Sequence, residues 1–309
     1  MKKIRLLPKD RKKEEKVCGL LLIAPALILL IIFVITPLFM SLYRSFFYFE
    51  SGPNEAVFAG FENYAKVFQN KEFLKALGNV CIMTLFVVVL QVLLAFIFAN
   101  VLVRIKNKFG VFVRTIIYLP YLFSGIVVGC IFTLLTYYNG GIINGILGDW
   151  FNADPISFTM NEFWAYVAII VPTIWVGCGY TTLIFYSGLI NIPKDYYEAA
   201  EVDGAGFFKT TWYIVLPQLK NYFVLIIVTL VTANLQMFEI PMIMTNGQPV
   251  NATMTPVLYL IHARANGNVS QSEILASSIL IMLFIGGINA IVFDLTNARK
   301  GEKVHGKVR

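Results

Sequence analysis

A stretch between two apolar segments, residues 191–221, has the spacing of a functional motif. It is longer than a simple connector needs to be and it contains both charged and aromatic residues. Pro193 favours a helix start, and Gly204 can adopt the positive backbone angle that ends a helix. The sequence therefore predicts two short helices joined at a glycine, the first over 194–202 and the second over about 207–215.

This bent pair of helices would suit docking into a groove of a partner protein. Ala199 and Ala200 would let a partner's surface approach closely, while Glu198 and Glu201 offer charges for a lysine or arginine on that partner. Neighbouring tyrosine and phenylalanine side chains would supply apolar anchors. The alternative is an amphipathic segment that rests on the bilayer surface.

A second group of candidates interrupts two long apolar segments. In the first, Pro172 can loosen the helix backbone. The polar or flat residues around it are Thr173, Trp175, Gly177 and Tyr180. In the second segment the polar residues are Asn234, Gln236 and Glu239, the last near the external end. Such groups could bind a polar solute near the membrane midplane. The alternative is that Asn234 and Gln236 only join helices through hydrogen bonds.

Motifs for chemistry are missing from the sequence. It has no GxxxxGK[ST] phosphate-binding loop, no HExxH or GxSxG motif, and no cluster of His with Asp or Glu. The four cysteines lack the paired spacing of a metal site or a disulfide framework. We therefore expect no enzyme activity and no cofactor in this chain, and any free energy that it uses must come through a partner.

Apolar segments position these candidates. Of the 309 residues 58% are hydrophobic and 14% charged, which leaves too few charges to cover a water-soluble fold. About 20 apolar residues cross a hydrocarbon core as a helix. We expect an all-α integral membrane protein with six transmembrane helices, the first of them a mature helix and not a signal peptide. The segments are 19–38, 80–103, 115–135, 163–189, 222–243 and 274–293.

The positions of the basic residues predict the orientation. If the N-terminus is cytoplasmic, the inside segments hold eight, four, three and five Lys or Arg, which is twenty of the 25. The positive-inside rule then places both termini in the cytoplasm. We expect a basic leader (1–18), one membrane domain (19–295) that includes the loop 191–217, and a cytoplasmic tail (296–309). The net charge of +7 thus concerns the lipid bilayer, and no nucleic-acid partner is expected.

The loop motif resembles the EAA loop of ABC importer permeases. Three residues separate its alanine pair from its glycine. The matching residues are Glu198, Ala199, Ala200, Gly204, Ile214, Leu216 and Pro217. The resemblance implies the type I importer permease fold and a coupling helix pair that inserts into an ATP-binding subunit, with the glutamate charge-paired to that subunit and the glycine at the bend.

The resemblance extends to the carbohydrate-type permeases of the maltose and glycerol-phosphate importers. TPLFMSLYRSF, GFENYAKVF with KEFLKALGN, YLPYLFSG and FEIPMIMTNGQP carry it in the same order. It implies import of a sugar or of a related polyol or glycerol-phosphate compound across the cytoplasmic membrane. The implied partners are a second, related permease, two ATP-binding subunits that hold ATP and Mg, and an extracytoplasmic solute-binding protein.

The resemblance also bears on individual residues. Thr173, Val176, Gly177, Tyr180 and Asn234 match positions that line the sugar site of maltose-type permeases. Gln248 departs from the family, whose external turn usually has a second glycine, so the backbone shape of that turn is in doubt.

Three sequence features decide between this interpretation and its rivals. A transporter driven by an ion gradient would need buried acidic or histidine relays in several spans, and only Glu239 approaches this. A non-energised channel has no use for a coupling loop. A membrane enzyme would need a catalytic constellation, which is missing.

Overall fold

A computed structural model describes residues 9–49, 56–105, 107–267 and 269–297. In chain order its helices are α1 (Lys9–Leu30), α2 (Thr36–Arg44), α3 (Glu62–Gln69), α4 (Lys71–Arg104), α5 (Asn107–Tyr118), α6 (Gly125–Leu135), α7 (Ile142–Phe151), α8 (Glu162–Ile190), α9 (Lys194–Val202), α10 (Phe207–Thr210), α11 (Leu216–Gln218), α12 (Lys220–Leu235), α13 (Glu239–Met244), α14 (Pro256–Asn266) and α15 (Gln271–Asn297). Strands β1 (Phe47–Phe49) and β2 (Ala56–Phe58) pair antiparallel. Residues 1–8 of the predicted leader (1–18) and 298–309 of the predicted tail (296–309) lie outside the described residues.

Five helical segments of the described chain are long and apolar enough to cross a membrane, and a bent helix pair provides one more crossing when it is counted as a single span. These six spans correspond to the six predicted apolar segments, and the all-α membrane fold is confirmed. They are Lys16–Arg44, Lys71–Arg104, Lys108–Leu122 with Gly125–Leu135, Glu162–Ile190, Lys220–Met244 and Gln271–Thr296.

The third span is bent by 97°, whereas the sequence predicted one continuous helix over 115–135. Pro120 lies in a 3₁₀ turn at the end of α5, and its missing N–H interrupts the helical hydrogen bonds. Phe123 and Ser124 are extended, and the Ser124 hydroxyl accepts a bond from the Val127 N–H at 3.4 Å to begin α6. A proline and a serine cap thus override the apolar pattern.

The fifth span is also interrupted, because α12 ends at Leu235 and α13 begins at Glu239. Pro241 lies in the first turn of α13, where a backbone N–H has no helical partner to lose. Residues 236–238 between the two helices are not helical. The sequence analysis treated 222–243 as one span and did not predict this break.

Two compact units make up the chain, one of residues 1–67 with 267–280 and one of 68–266 with 281–309. In the first unit, the buried Asn63 side chain donates to the Ser45 and Phe47 carbonyls at 2.8 and 3.1 Å, and the Ser45 hydroxyl lies 2.6 Å from the Tyr64 hydroxyl. These bonds hold α3 against the chain that precedes it.

The second unit is built on close packing of α4 against α8. Val87 and Ala95 of α4 share one buried cluster with Ile174 and Phe185 of α8. Small residues allow membrane helices to approach each other closely. At Gly179, a Cβ would lie only 2.0 Å from the Ile117 carbonyl oxygen of α5, so α8 touches the backbone of α5 there.

The turn after α13 settles the question raised at Gln248. Positive φ angles occur at Asn246, Gly247, Val250 and Asn251, and Gln248 is not one of them. A second glycine at Gln248 is therefore not required for the backbone angle of this turn.

Candidate functional site

A cavity of about 540 Å³ lies within the second unit. It is lined by residues of α4, α6, α8, α12 and α13 and of the turns beside them. Six of the seven residues predicted for a substrate pathway line it: Thr173, Val176, Gly177, Tyr180, Asn234 and Gln236. Trp175 is not among its lining residues. Its ring packs on Phe132 with centroids 5.6 Å apart, so it faces a different side of α8.

An aromatic platform forms part of the wall. Tyr121 stacks on Tyr180 with ring centroids 4.8 Å apart and planes only 10° from parallel. Tyr180 is 37% exposed, so the pair presents flat apolar surface to the cavity. Tyr121 was not predicted for this site, because the turn that carries it was taken as part of a continuous helix.

A buried polar pair joins α4 to α8 beside the platform. The Gln91 amide donates to the Thr181 hydroxyl at 2.8 Å, and both side chains are 1% exposed. Gly177 leaves room for this amide, since a Cβ there would lie 2.5 Å from Gln91 Nε2. Gln91 was also missed, although a lone glutamine in a long apolar segment is a signal for an interior position.

The two amides of the fifth span bond within their own helix or at its end. Asn234 donates to the Leu230 carbonyl at 2.8 Å, and Gln236 donates to the Thr232 carbonyl at 3.2 Å. The interhelical bond in this span comes instead from Thr232, whose hydroxyl donates to Asn289 at 3.0 Å. Within the described chain, neither Asn234 nor Gln236 forms an interhelical hydrogen bond, and both line the cavity.

The stretch between α8 and α12 contains the predicted bent helix pair. Helix α9 covers Lys194–Val202 as expected, and Gly204 has a φ of +69° at the bend. The Ala205 N–H closes the helix end on the Ala200 carbonyl at 2.8 Å. The second helix begins at Phe207 as expected but continues as a π-helical turn over Thr211–Val215 and then as α11.

The π-helical turn has a local cause. Pro217 has no N–H to donate to the Tyr213 carbonyl, and this disturbs the regular α-helical pattern of the preceding turn. The three motif residues of this segment differ in exposure. Ile214 and Leu216 are partly buried, and Pro217 is exposed.

The bent pair presents charge and apolar surface together. Glu198 and Ala199 are exposed, Ala200 is buried beneath them, and the Phe208 side chain is 84% exposed. Tyr197 packs against the core cluster below, and this burial raises the pKa of its phenol above the ordinary value. One face of the loop therefore holds it to the spans and the other is free to meet a partner.

The end of α4 supports this loop. The Arg104 guanidinium lies over the Phe207 ring, with Cζ 4.9 Å from the ring centroid. A groove of about 640 Å³ lies beside it and is lined by Arg104, Glu198 and Glu201 among others. The carboxylates of Glu198, which belongs to the motif, and of Glu201 thus border a concave surface.

Transport proteins commonly place a solute site where broken helices border a cavity inside a multi-span helical domain. Residues 91–299 match the family described as the inner membrane component of binding-protein-dependent transport systems. The chain belongs to this family. The match confirms the predicted location in the inner membrane and the identification as a permease of a binding-protein-dependent importer.

Named relatives and solved structures agree with this family. The chain is 28% identical over 292 residues to the lactose transport system permease protein LacF of Rhizobium radiobacter, covering 94% of this chain and 97% of LacF. It is 31% identical over 247 residues to the sulfoquinovosyl glycerol transport system permease protein SmoG of Agrobacterium fabrum, covering 80% of each. A chain of a bacterial ABC transporter involved in alginate import shares the fold, with a TM-score of 0.79 at 21% identity over 94% of this chain and 98% of that one.

Proposed function

We propose that this chain is the membrane-spanning subunit of an ABC transporter that imports a sugar, or a related polyol or glycerol-phosphate compound, across the cytoplasmic membrane. The lining of the cavity carries the proposal. It combines amides of Gln91, Asn234 and Gln236, hydroxyls of Thr173 and Thr229, and the Tyr121 and Tyr180 rings. Amide and hydroxyl groups bond sugar hydroxyls, and flat aromatic faces pack on sugar rings. The names of the lactose and sulfoquinovosyl glycerol relatives support the same solute class.

The substrate site is tested by uptake into proteoliposomes that contain the complete transporter and its solute-binding protein, with a panel of sugars and polyols. Asn234→Ala should raise the KM for the transported sugar by about twofold to tenfold, the range for loss of one neutral hydrogen bond. Asn221→Ala is a matched control, because Asn221 is an exposed asparagine of the same helix that does not line the cavity. Identical kinetics for Asn234→Ala and the wild type would remove Asn234 from the site.

The energy for import comes, in this proposal, from two ATP-binding subunits that hold ATP and Mg. Helix α9 docks into the surface of one of these subunits, with Glu198 pairing to a basic residue there and Gly204 setting the angle between the two short helices. Closure of the ATP-binding subunits then moves the loop and switches the pore as a rigid-body transition. A second, related permease completes the pore, a solute-binding protein delivers the sugar outside, and both termini face the cytoplasm.

Coupling is tested by comparing uptake with ATP hydrolysis. Glu198→Gln and Gly204→Ala should each abolish uptake and sugar-stimulated ATP hydrolysis while the protein stays in the membrane. Asp195→Asn is a control in the same helix, since Asp195 is an exposed carboxylate outside the motif and the groove. Normal uptake by both motif variants would contradict the coupling role.

The assembly is tested by affinity capture of this chain from native membranes. A second permease and an ATP-binding subunit should be recovered with it. Recovery of the chain alone, together with uptake driven by an ion gradient, would contradict the proposal.

A further inference from the structure

The cavity contains one charged side chain among the nineteen described residues that line it, and this residue is Glu239. It is the first residue of α13, directly after the interruption of the fifth span. Within the described part of the chain, no side chain forms an ion pair with its carboxylate or donates a hydrogen bond to it. A carboxylate without such a partner keeps its capacity to accept hydrogen bonds from a solute.

A glycine on the facing helix leaves the space that this carboxylate occupies. An added Cβ at Gly125 of α6 would lie 2.3 Å from Glu239 Oε2 and 2.9 Å from Glu239 Cβ. One turn along, a Cβ at Gly129 would lie 2.9 Å from Ile243 Cβ. Glycines of α6 thus let α13 pack closely, and Glu239 rests against the backbone of α6 at the cavity wall.

We infer that Glu239 makes the cavity selective by charge, so that the transported solute is a neutral sugar or polyol and not a phosphate or a sugar acid. A single negative charge in a cleft with low-dielectric walls repels anions and attracts donors and cations. Sugar hydroxyls can donate to the carboxylate, whereas a phosphate would meet repulsion with no cation on the described lining to offset it. This inference rests on the proposed sugar site and narrows its solute class.

The charge of the cavity can be measured without a sugar. The probe is Ala233→Cys, at an exposed lining residue of α12, in a full-length chain whose four native cysteines are replaced by alanine. In the purified transporter, the reaction rate of this cysteine is measured with a cationic reagent, trimethylammonium-ethyl methanethiosulfonate, and with an anionic one, sulfonato-ethyl methanethiosulfonate. Each rate is divided by the rate of the same reagent with a small free thiol, and the two normalised rates are then compared. The cationic reagent should react faster by at least about tenfold, given the size of a nearby charge interaction.

Glu239→Gln should reduce the ratio of the cationic to the anionic reaction rate to nearly the value found for the free thiol. Glu162→Gln is the control and should leave it unchanged, because Glu162 starts α8 and does not line the cavity. A ratio that Glu239→Gln does not alter would overturn the inference. The measurement is repeated with Thr229→Cys, at a second lining residue. If neither cysteine reacts, the cavity is closed to water and the inference also fails.

The test of charge selection and the test of the proposed function can fail independently of each other. The rate ratio needs no transported solute, so an unaltered ratio refutes charge selection even where sugar uptake is observed. Conversely, uptake of no sugar by the intact transporter contradicts the proposed function, whatever the ratio is.

Discussion

Replacing Gly177 by alanine tests whether the polar pair beside the cavity depends on a missing side chain. The new Cβ would lie 2.5 Å from Gln91 Nε2 and 3.0 Å from its Cδ and Oε1. Ordinary contacts of this kind begin near 3.4 Å, so the amide has to move by roughly 1 Å. Such a movement breaks its 2.8 Å bond to Thr181 within a buried site.

The magnitude follows from three contributions. The lost interhelical hydrogen bond costs about 0.6 kcal/mol and at most about 1.7, and crowding in a packed interior adds about 1–3 kcal/mol. Alanine is better than glycine in a helix by about 0.5–1 kcal/mol, which offsets part of this. We expect a net destabilisation of about 1–3 kcal/mol from these terms. At about 2–4 °C per kcal/mol, Tm should fall by roughly 2–12 °C.

The assay is thermal unfolding of the purified transporter in one detergent at one scan rate, which keeps irreversible unfolding comparable between variants. The decisive variant combines Gly177→Ala with Gln91→Ala, because the shorter side chain removes the clash. In that background Gly177→Ala should leave Tm unchanged or raise it. Gly78→Ala, a helical position with no atom within 4 Å of its new Cβ, controls for helix propensity. Equal losses of Tm in both Gln91 backgrounds would refute the reasoning.

Three further substitutions have defined outcomes. Gly179→Ala places a Cβ 2.0 Å from the Ile117 carbonyl oxygen and should cost about 3 kcal/mol or more, seen as loss of monodisperse protein on size exclusion. Val250→Gly should raise Tm, because a β-branched residue at a φ of +49° carries about 1–2 kcal/mol of strain; an unchanged Tm would contradict this. Tyr121→Ala should weaken sugar affinity by about twofold to tenfold through loss of the stacked Tyr180 pair, whereas Tyr121→Phe should not.

Features set by neighbouring residues were predictable from the sequence. Pro193 marks the start of α9 and Gly204 follows its end. A proline favours a helix start and a glycine favours a helix end through their own backbone angles, which depend on no other part of the chain. The six spans follow from uninterrupted apolar length. The ends of α9 are determined within one turn of backbone, and the spans are determined by contact of apolar side chains with the lipid.

The apolar pattern alone did not predict which side of a span faces the cavity. Trp175 and Val176 are adjacent in α8, yet Val176 lines the cavity and Trp175 packs on Phe132. A helix that is apolar all round has no amphipathic pattern to tell its interior side from its lipid side. Tyr121 was missed for a related reason, since its position depends on the 97° bend of its span.

The two helix interruptions explain why the polar groups collect where they do. Non-helical backbone at membrane depth leaves carbonyl and N–H groups that lipid cannot satisfy, so it is tolerated only inside protein or beside a water-filled space. Residues 236–238 and the turn before Gly125 both border the same cavity, and α6 packs on α13 through Gly125 and Gly129. The glycines therefore bring two broken spans together beside one cavity. In the proposed function, hydroxyl-rich molecules suit this position because their hydroxyls can bond the amides and hydroxyls of the cavity lining.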